Sequence, residues 1–150
     1  MGLFDFVKDA GEKIFHTEAK AAEARTEMAQ RLGSHVTAMG FEVEGLAVDF
    51  NDKDVATLRG TVASQKEMEQ VVLTVGNVSG VASVDNQLVV KKPEPEAVFY
   101  TVKSGDTLGA IAKAHLGSAG AYMKIFEANT PMLKDPNKIY PGQTLRIPKS

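Results

Sequence analysis

Apolar residues recur along the chain at two different periods, and the switches between them divide it. Residues 3–15 place Leu3, Val7, Ala10 and Ile14 at helical spacing with Phe4 and Phe15 beside them, which predicts a short amphipathic helix that breaks or ends near Gly11. Its polar face mixes acids and lysines, unlike a basic membrane-surface helix. The apolar face is therefore expected to dock on the chain's own core. From Thr17, a good cap, the 3.6 period runs through Ala21, Ala24, Met28, Leu32, His35 and Met39 to a stop at Gly40. The period then drops to two. LAVDF (46–50) alternates, NDKD (51–54) turns and VATLRGTV (55–62) returns, so a hairpin is expected. SQKE (64–67) is a capping box that opens a helix with Met68, Val71, Val72 and Val75 on one face, and residues 81–90 supply a further strand.

KKPEPEA (91–97) has two prolines, alternating charge and no apolar face, the composition of a short, stiff linker. Beyond it a second pattern begins. Phe99 and Val102 belong to a strand, Asp106 or Thr107 caps a helix carrying Leu108, Ile111, Ala112 and Leu116, and Gly117 closes it. Tyr122, Ile125 and Phe126 mark a second helix ending near Asn129, and TLRI (144–147) is a returning strand. The expected class is α+β. A helix–hairpin–helix–strand domain occupies 17–91, a linker 92–97 and a small βααβ domain 98–150, with residues 1–16 as a helix packed on the first domain.

Composition removes several functions. At 150 residues and 43% hydrophobic content the chain can form packed cores. A formal net charge of −2 gives no basic field for nucleic acid, which is not an expected partner. With no cysteine there is no disulfide, thiolate nucleophile or Cys-based zinc site. Asp5, Lys8, Asp9, Glu12 and Lys13 interrupt any apolar secretory core, so a cytoplasmic location is expected. No stretch approaches the roughly 18 apolar residues of a membrane span. Phe6 stands where a myristoylation motif needs Ser or Thr.

Catalysis is not expected either. His16, His35 and His115 are far apart, and no HExxH, GxSxG or phosphate-cradling glycine loop is present. Asp52 and Asp54 lack the glycine and later glutamate of a calcium loop. Like Glu67 and Glu69, they read as solvated turn and helix-face charges.

The order of elements, the glycine of LRGTV (58–62) and the ending GNVSGVASVDNQLVV (76–90) resemble the BON domain. Residues 98–148, with SGDTL (104–108) at one end and IYPGQTLRIP (139–148) at the other, resemble the LysM domain. LysM resemblance implies a glycan groove formed by Gly105, Asp106, Thr107 and Leu108 with Asn129, Thr130, Pro131 and Ile139. Each of these also suits a cap, core or loop role. Gly109 occupies the place where wall-binding members often carry an aromatic. A peptidoglycan-binding or scaffolding adaptor is therefore the alternative reading.

The combination of MGLFDFVKDAGEK (1–13), a BON-like and a LysM-like domain resembles a family of bacterial potassium-binding proteins. That resemblance implies a K⁺ sensor or buffer that becomes compact on binding the ion, with Rb⁺ or Cs⁺ able to replace it. A monomer is expected. Large, weakly hydrated K⁺ suits a cage of neutral carbonyl oxygens, and carbonyls without intrahelical partners concentrate where helices end. The candidate metal ligands are the backbone oxygens of Val7, Ala10 and Glu12, with those of Gly76, Val78 and Val81. Gly76 and Gly80 are expected to permit unusual backbone dihedrals there, the bland alternative being an ordinary C-cap and turn. Spacing alone does not bring the two stretches together.

Overall fold

Two strands joined by an Asx turn begin the main sheet. β2 (Glu44–Phe50) and β3 (Val55–Ser64) pair antiparallel. Between them Asn51 Oδ1 accepts from the N–H groups of Lys53 (2.9 Å) and Val55 (3.0 Å), and Asp54 takes a left-handed φ of 60°. The computed structural model that shows this describes residues 3–6 and 22–148.

The capping box then turns strand into helix. Ser64 Oγ accepts from Glu67 N–H (3.1 Å), and the Glu67 carboxylate reaches back to Ala63 N–H (3.3 Å), opening α2 (Gln65–Gly76). The helix carries the chain across the sheet, so β4 (Ser83–Lys92) lies parallel to β3. Preceding them, α1 (Ala22–Ala38) ends one residue before Met39, whose N–H bonds to His35 O. Thr17 and the expected first turn lie outside the described residues. Met28, Leu32 and Val36 of α1 meet Leu58, Val62, Val71, Val72, Val75 and Val84 in one buried cluster.

Where helical spacing predicted a helix over 3–15, Leu3–Asp5 instead form a strand, β1, and residues 7–15 lie outside the described residues. β1 pairs antiparallel with β4, Leu3 opposite Asp85 and Asp5 opposite Ser83, giving the order β1-β4-β3-β2. β4 would otherwise present an open row of peptide groups, and pairing them outweighs a local helical period. Phe4 and Phe6, on and just after this strand, pack against the cluster.

The C-terminal unit follows its expected order. β5 (Val98–Thr101) pairs antiparallel with β6 (Thr144–Ile147), and α3 (Leu108–Leu116) and α4 (Tyr122–Ala128) enclose a second core of Val102, Leu108, Ile111, Ile125, Leu133 and Leu145. Thr107, rather than Asp106, caps α3, its Oγ1 accepting from Ala110 N–H at 3.1 Å, and Gly117 closes the helix in the left-handed region.

Candidate functional site

The loop that ends α2 is built from peptide oxygens inside an apolar setting. Asn77 N–H bonds back to Leu73 O (2.9 Å), Val78 N–H to Val75 O (3.2 Å) and Val81 N–H to Val78 O (3.2 Å), while Val75, Val78 and Val81 are buried. Gly80 has a left-handed φ of 101°, as expected for the turn. Gly76 does not share it. It ends the helix in ordinary backbone geometry, and its lack of a side chain matters for space: a Cβ there would stand 2.0 Å from Cζ of Phe6.

Phe6 is thus laid directly on Gly76, and its N–H donates to Ala82 O at 2.9 Å. These two contacts bring the chain that leads into Val7 onto both ends of the 76–82 loop. Val7, Ala10 and Glu12 themselves lie outside the described residues; Gly76, Val78 and Val81 fall together on the one loop.

The donor chemistry of the loop suits a large monovalent cation. Among the described residues, no backbone hydrogen bond reaches the carbonyls of Gly76 or Val81, and Val78 O accepts one and keeps its second lone pair. The C-terminus of α2 adds about half a negative charge without a carboxylate. No group of three or more His, Cys, Asp or Glu converges among the described residues, and the oxygens named in this loop are peptide oxygens, which carry no formal charge.

On its other side α2 carries the C-terminal unit. Glu69, expected in solvent, is fully buried: Arg146 Nε donates to its Oε1 at 2.6 Å, and Ala97 N–H (3.0 Å) and Gln65 Nε2 (3.1 Å) donate to its Oε2. One turn on, Leu73 is buried, and a further turn on the side chain of Asn77 grips β6. Gln70 Nε2 donates to Ala128 O (2.9 Å), and the Phe4 and Phe99 rings meet at 5.4 Å. The prolines of 91–97 therefore lead into an anchored residue, Ala97, rather than a free tether. Leu73, apolar but off the stripe of Met68, Val71, Val72 and Val75, was the signal in the sequence that this second face is covered.

The groove positions of the LysM resemblance are mostly engaged internally. Asp106 accepts from the Tyr100 hydroxyl (2.5 Å) and Lys103 N–H (2.9 Å), which lowers its carboxyl below the usual value, and the same hydrogen bond raises the Tyr100 phenol. Leu108 is core. Asn129 is buried, its Nδ2 donating to Ile125 O and Arg146 O and its Oδ1 accepting from Arg146 N–H. His115 stands against the Tyr100 ring and His35 sits half-buried on α1, while His16 lies outside the described residues.

The fold is a two-domain α+β arrangement in which a BON domain carries a LysM domain: family models for the BON domain and the LysM domain match residues 22–92 and 100–148. Over 150 residues, 99% of each chain, the sequence is 47% identical to the potassium binding protein Kbp of Escherichia coli O6:H1 (strain CFT073). The chain belongs to the Kbp family. It is also 36% identical over 102 residues to an uncharacterized protein of Deinococcus radiodurans, a match covering 61% of this chain and 40% of that one. Among the described residues no helix is long and apolar enough to cross a membrane.

Proposed function

We propose that this chain is a cytoplasmic K⁺-binding protein, a sensor or buffer rather than an enzyme, in which K⁺ is held by backbone carbonyls of Val7, Ala10 and Glu12 from the N-terminal stretch and of Gly76, Val78 and Val81 from the α2–β4 loop. The observation that carries this reading is Phe6, the residue before Val7, which is seated on Gly76 and bonded to Ala82 O at the two ends of the loop. The name of the 47% identical relative supports the choice of ion. A ring of neutral oxygens favours K⁺, and Rb⁺ or Cs⁺ after it, over the smaller and more strongly hydrated Na⁺.

Because neither stretch alone supplies a full shell, ion binding favours the state in which both are in place. A ligand that binds only that state stabilises it by RT ln(1 + [L]/Kd), about 2.7 kcal/mol at a hundredfold excess over Kd. The loop also touches the C-terminal unit through Asn77, so the same free energy favours a compact molecule. Deleting residues 1–12 tests the shared site. β1 is an edge strand, so β2, β3 and β4 keep their pairing, and the expected result is retained secondary structure by circular dichroism with no heat of K⁺ binding in calorimetry. K⁺ binding by the folded, truncated chain would place the site elsewhere.

A further inference from the structure

We infer that Asn77 is a positioning residue that couples the ion loop to the C-terminal unit; this rests on the reading of residues 76–81 as half of a K⁺ site. Asn77 lies between two candidate ligands, Gly76 and Val78. Its side-chain amide makes a two-point contact with one residue of β6: Nδ2 donates to Thr144 O at 2.8 Å and Oδ1 accepts from Thr144 N–H at 2.8 Å. In doing so it imitates the exchange of both peptide groups that joins opposed residues of an antiparallel pair. Both residues are buried, so neither bond has water as a ready substitute. The same Nδ2 also approaches Met132 Sδ (3.3 Å), and the Tyr140 hydroxyl reaches Asn77 O (3.5 Å).

The coupling follows from shared backbone. The φ and ψ of Asn77, −83° and 6°, set the direction of the flanking peptide groups and also the direction of its own Cα–Cβ bond. Fixing the carbonyl of Gly76, which belongs to the peptide group on the N-terminal side of Asn77, around an ion therefore restrains the amide that holds Thr144, and holding Thr144 pre-arranges that carbonyl. The effect is reciprocal by linkage. An amide suits the position because it sets a donor and an acceptor side by side; a carboxylate would turn an acceptor toward Thr144 O, and an apolar side chain would leave both peptide groups unpaired.

The test uses the full chain with Lys53→Cys and Lys113→Cys, two exposed positions in a protein without native cysteine, spin-labelled to report the separation of the two domains. KCl is titrated against choline chloride, with affinity read by calorimetry and separation by electron resonance. In the parent the labels are expected to adopt a narrower separation as K⁺ binds. In Asn77→Ala, K⁺ is expected still to bind, about fivefold or more weakly, while the K⁺-dependent change in separation is lost. A merely structural role would lower stability without splitting binding from separation. Parental affinity together with the parental separation change in Asn77→Ala would overturn the inference. If circular dichroism shows that variant unfolded, Asn77→Asp, which keeps the acceptor for Thr144 N–H, is read by the same two outcomes. Absence of K⁺ binding by the parent would instead refute the site itself.

Discussion

Replacing Arg146 by alanine is expected to destabilise the protein by about 3–5 kcal/mol, because it strands a buried carboxylate. Glu69 has no exposed side-chain surface, and Arg146 is the cation bonded to its Oε1. Ala97 N–H and Gln65 Nε2 would remain, but both donate to Oε2 and neither carries charge. At about 2–4 °C per kcal/mol for a chain of this size, the midpoint of thermal unfolding should fall by on the order of 10 °C. Replacing both Glu69 and Arg146 by leucine should recover most of that loss, since removing a buried pair together leaves no uncompensated charge. A loss below about 1 kcal/mol for Arg146→Ala would mean that the pair behaves as an exposed one.

The second large effect is on the ion. Gly76→Val is expected to abolish K⁺ binding while leaving helix and strand content largely intact, and Gly76→Ala to weaken binding at least about tenfold, or about 1.4 kcal/mol. The reason is steric. A Cβ at position 76 would stand at 2.0–2.3 Å from Cζ, Cε1 and Cε2 of Phe6, so the ring must leave, and with it the anchor of the chain that leads into Val7. Val adds two methyl groups to the same clash. Phe6→Ala, which removes the ring without enlarging residue 76, should weaken K⁺ binding in the same direction because the same anchor is lost; an unchanged K⁺ titration in Gly76→Val would remove the loop from the site.

Local chemistry was legible in the sequence wherever a residue acts on its own neighbours. Ser64 and Glu67 cap α2, Asn51 turns the hairpin, and Thr107 and Gly117 bound α3, all from patterns spanning a few positions. The misreadings are non-local. Leu3, Phe4 and Asp5 carry a helical period, but their strand is imposed by β4, which lies far along the chain. Glu69 has the form of a solvated helix charge until the C-terminal unit is laid over α2 and supplies Arg146. Gly76 suggests a dihedral requirement, whereas the requirement is room for a ring from another segment.

The candidate site itself is hard to read from residue types for a further reason. Peptide oxygens are common to every residue, so a carbonyl shell leaves no side-chain signature, and valine serves as well as any other residue in it. What the sequence does carry is the means of arranging those oxygens: a helix end, Gly80 for the turn, and the small residue Gly76 where another segment must approach. Family resemblance was needed to connect them with an ion.

Melting and small-angle scattering in KCl and NaCl, each matched in ionic strength with choline chloride to hold screening constant, show whether one K⁺ ion joins the N-terminal stretch to the α2–β4 loop and draws the molecule together. K⁺ should raise the unfolding midpoint and reduce the radius of gyration over the same concentration range, with Rb⁺ and Cs⁺ acting similarly and Na⁺ doing little. Equal effects of Na⁺ and K⁺ on both quantities would rule out a K⁺-selective site shared by the two stretches.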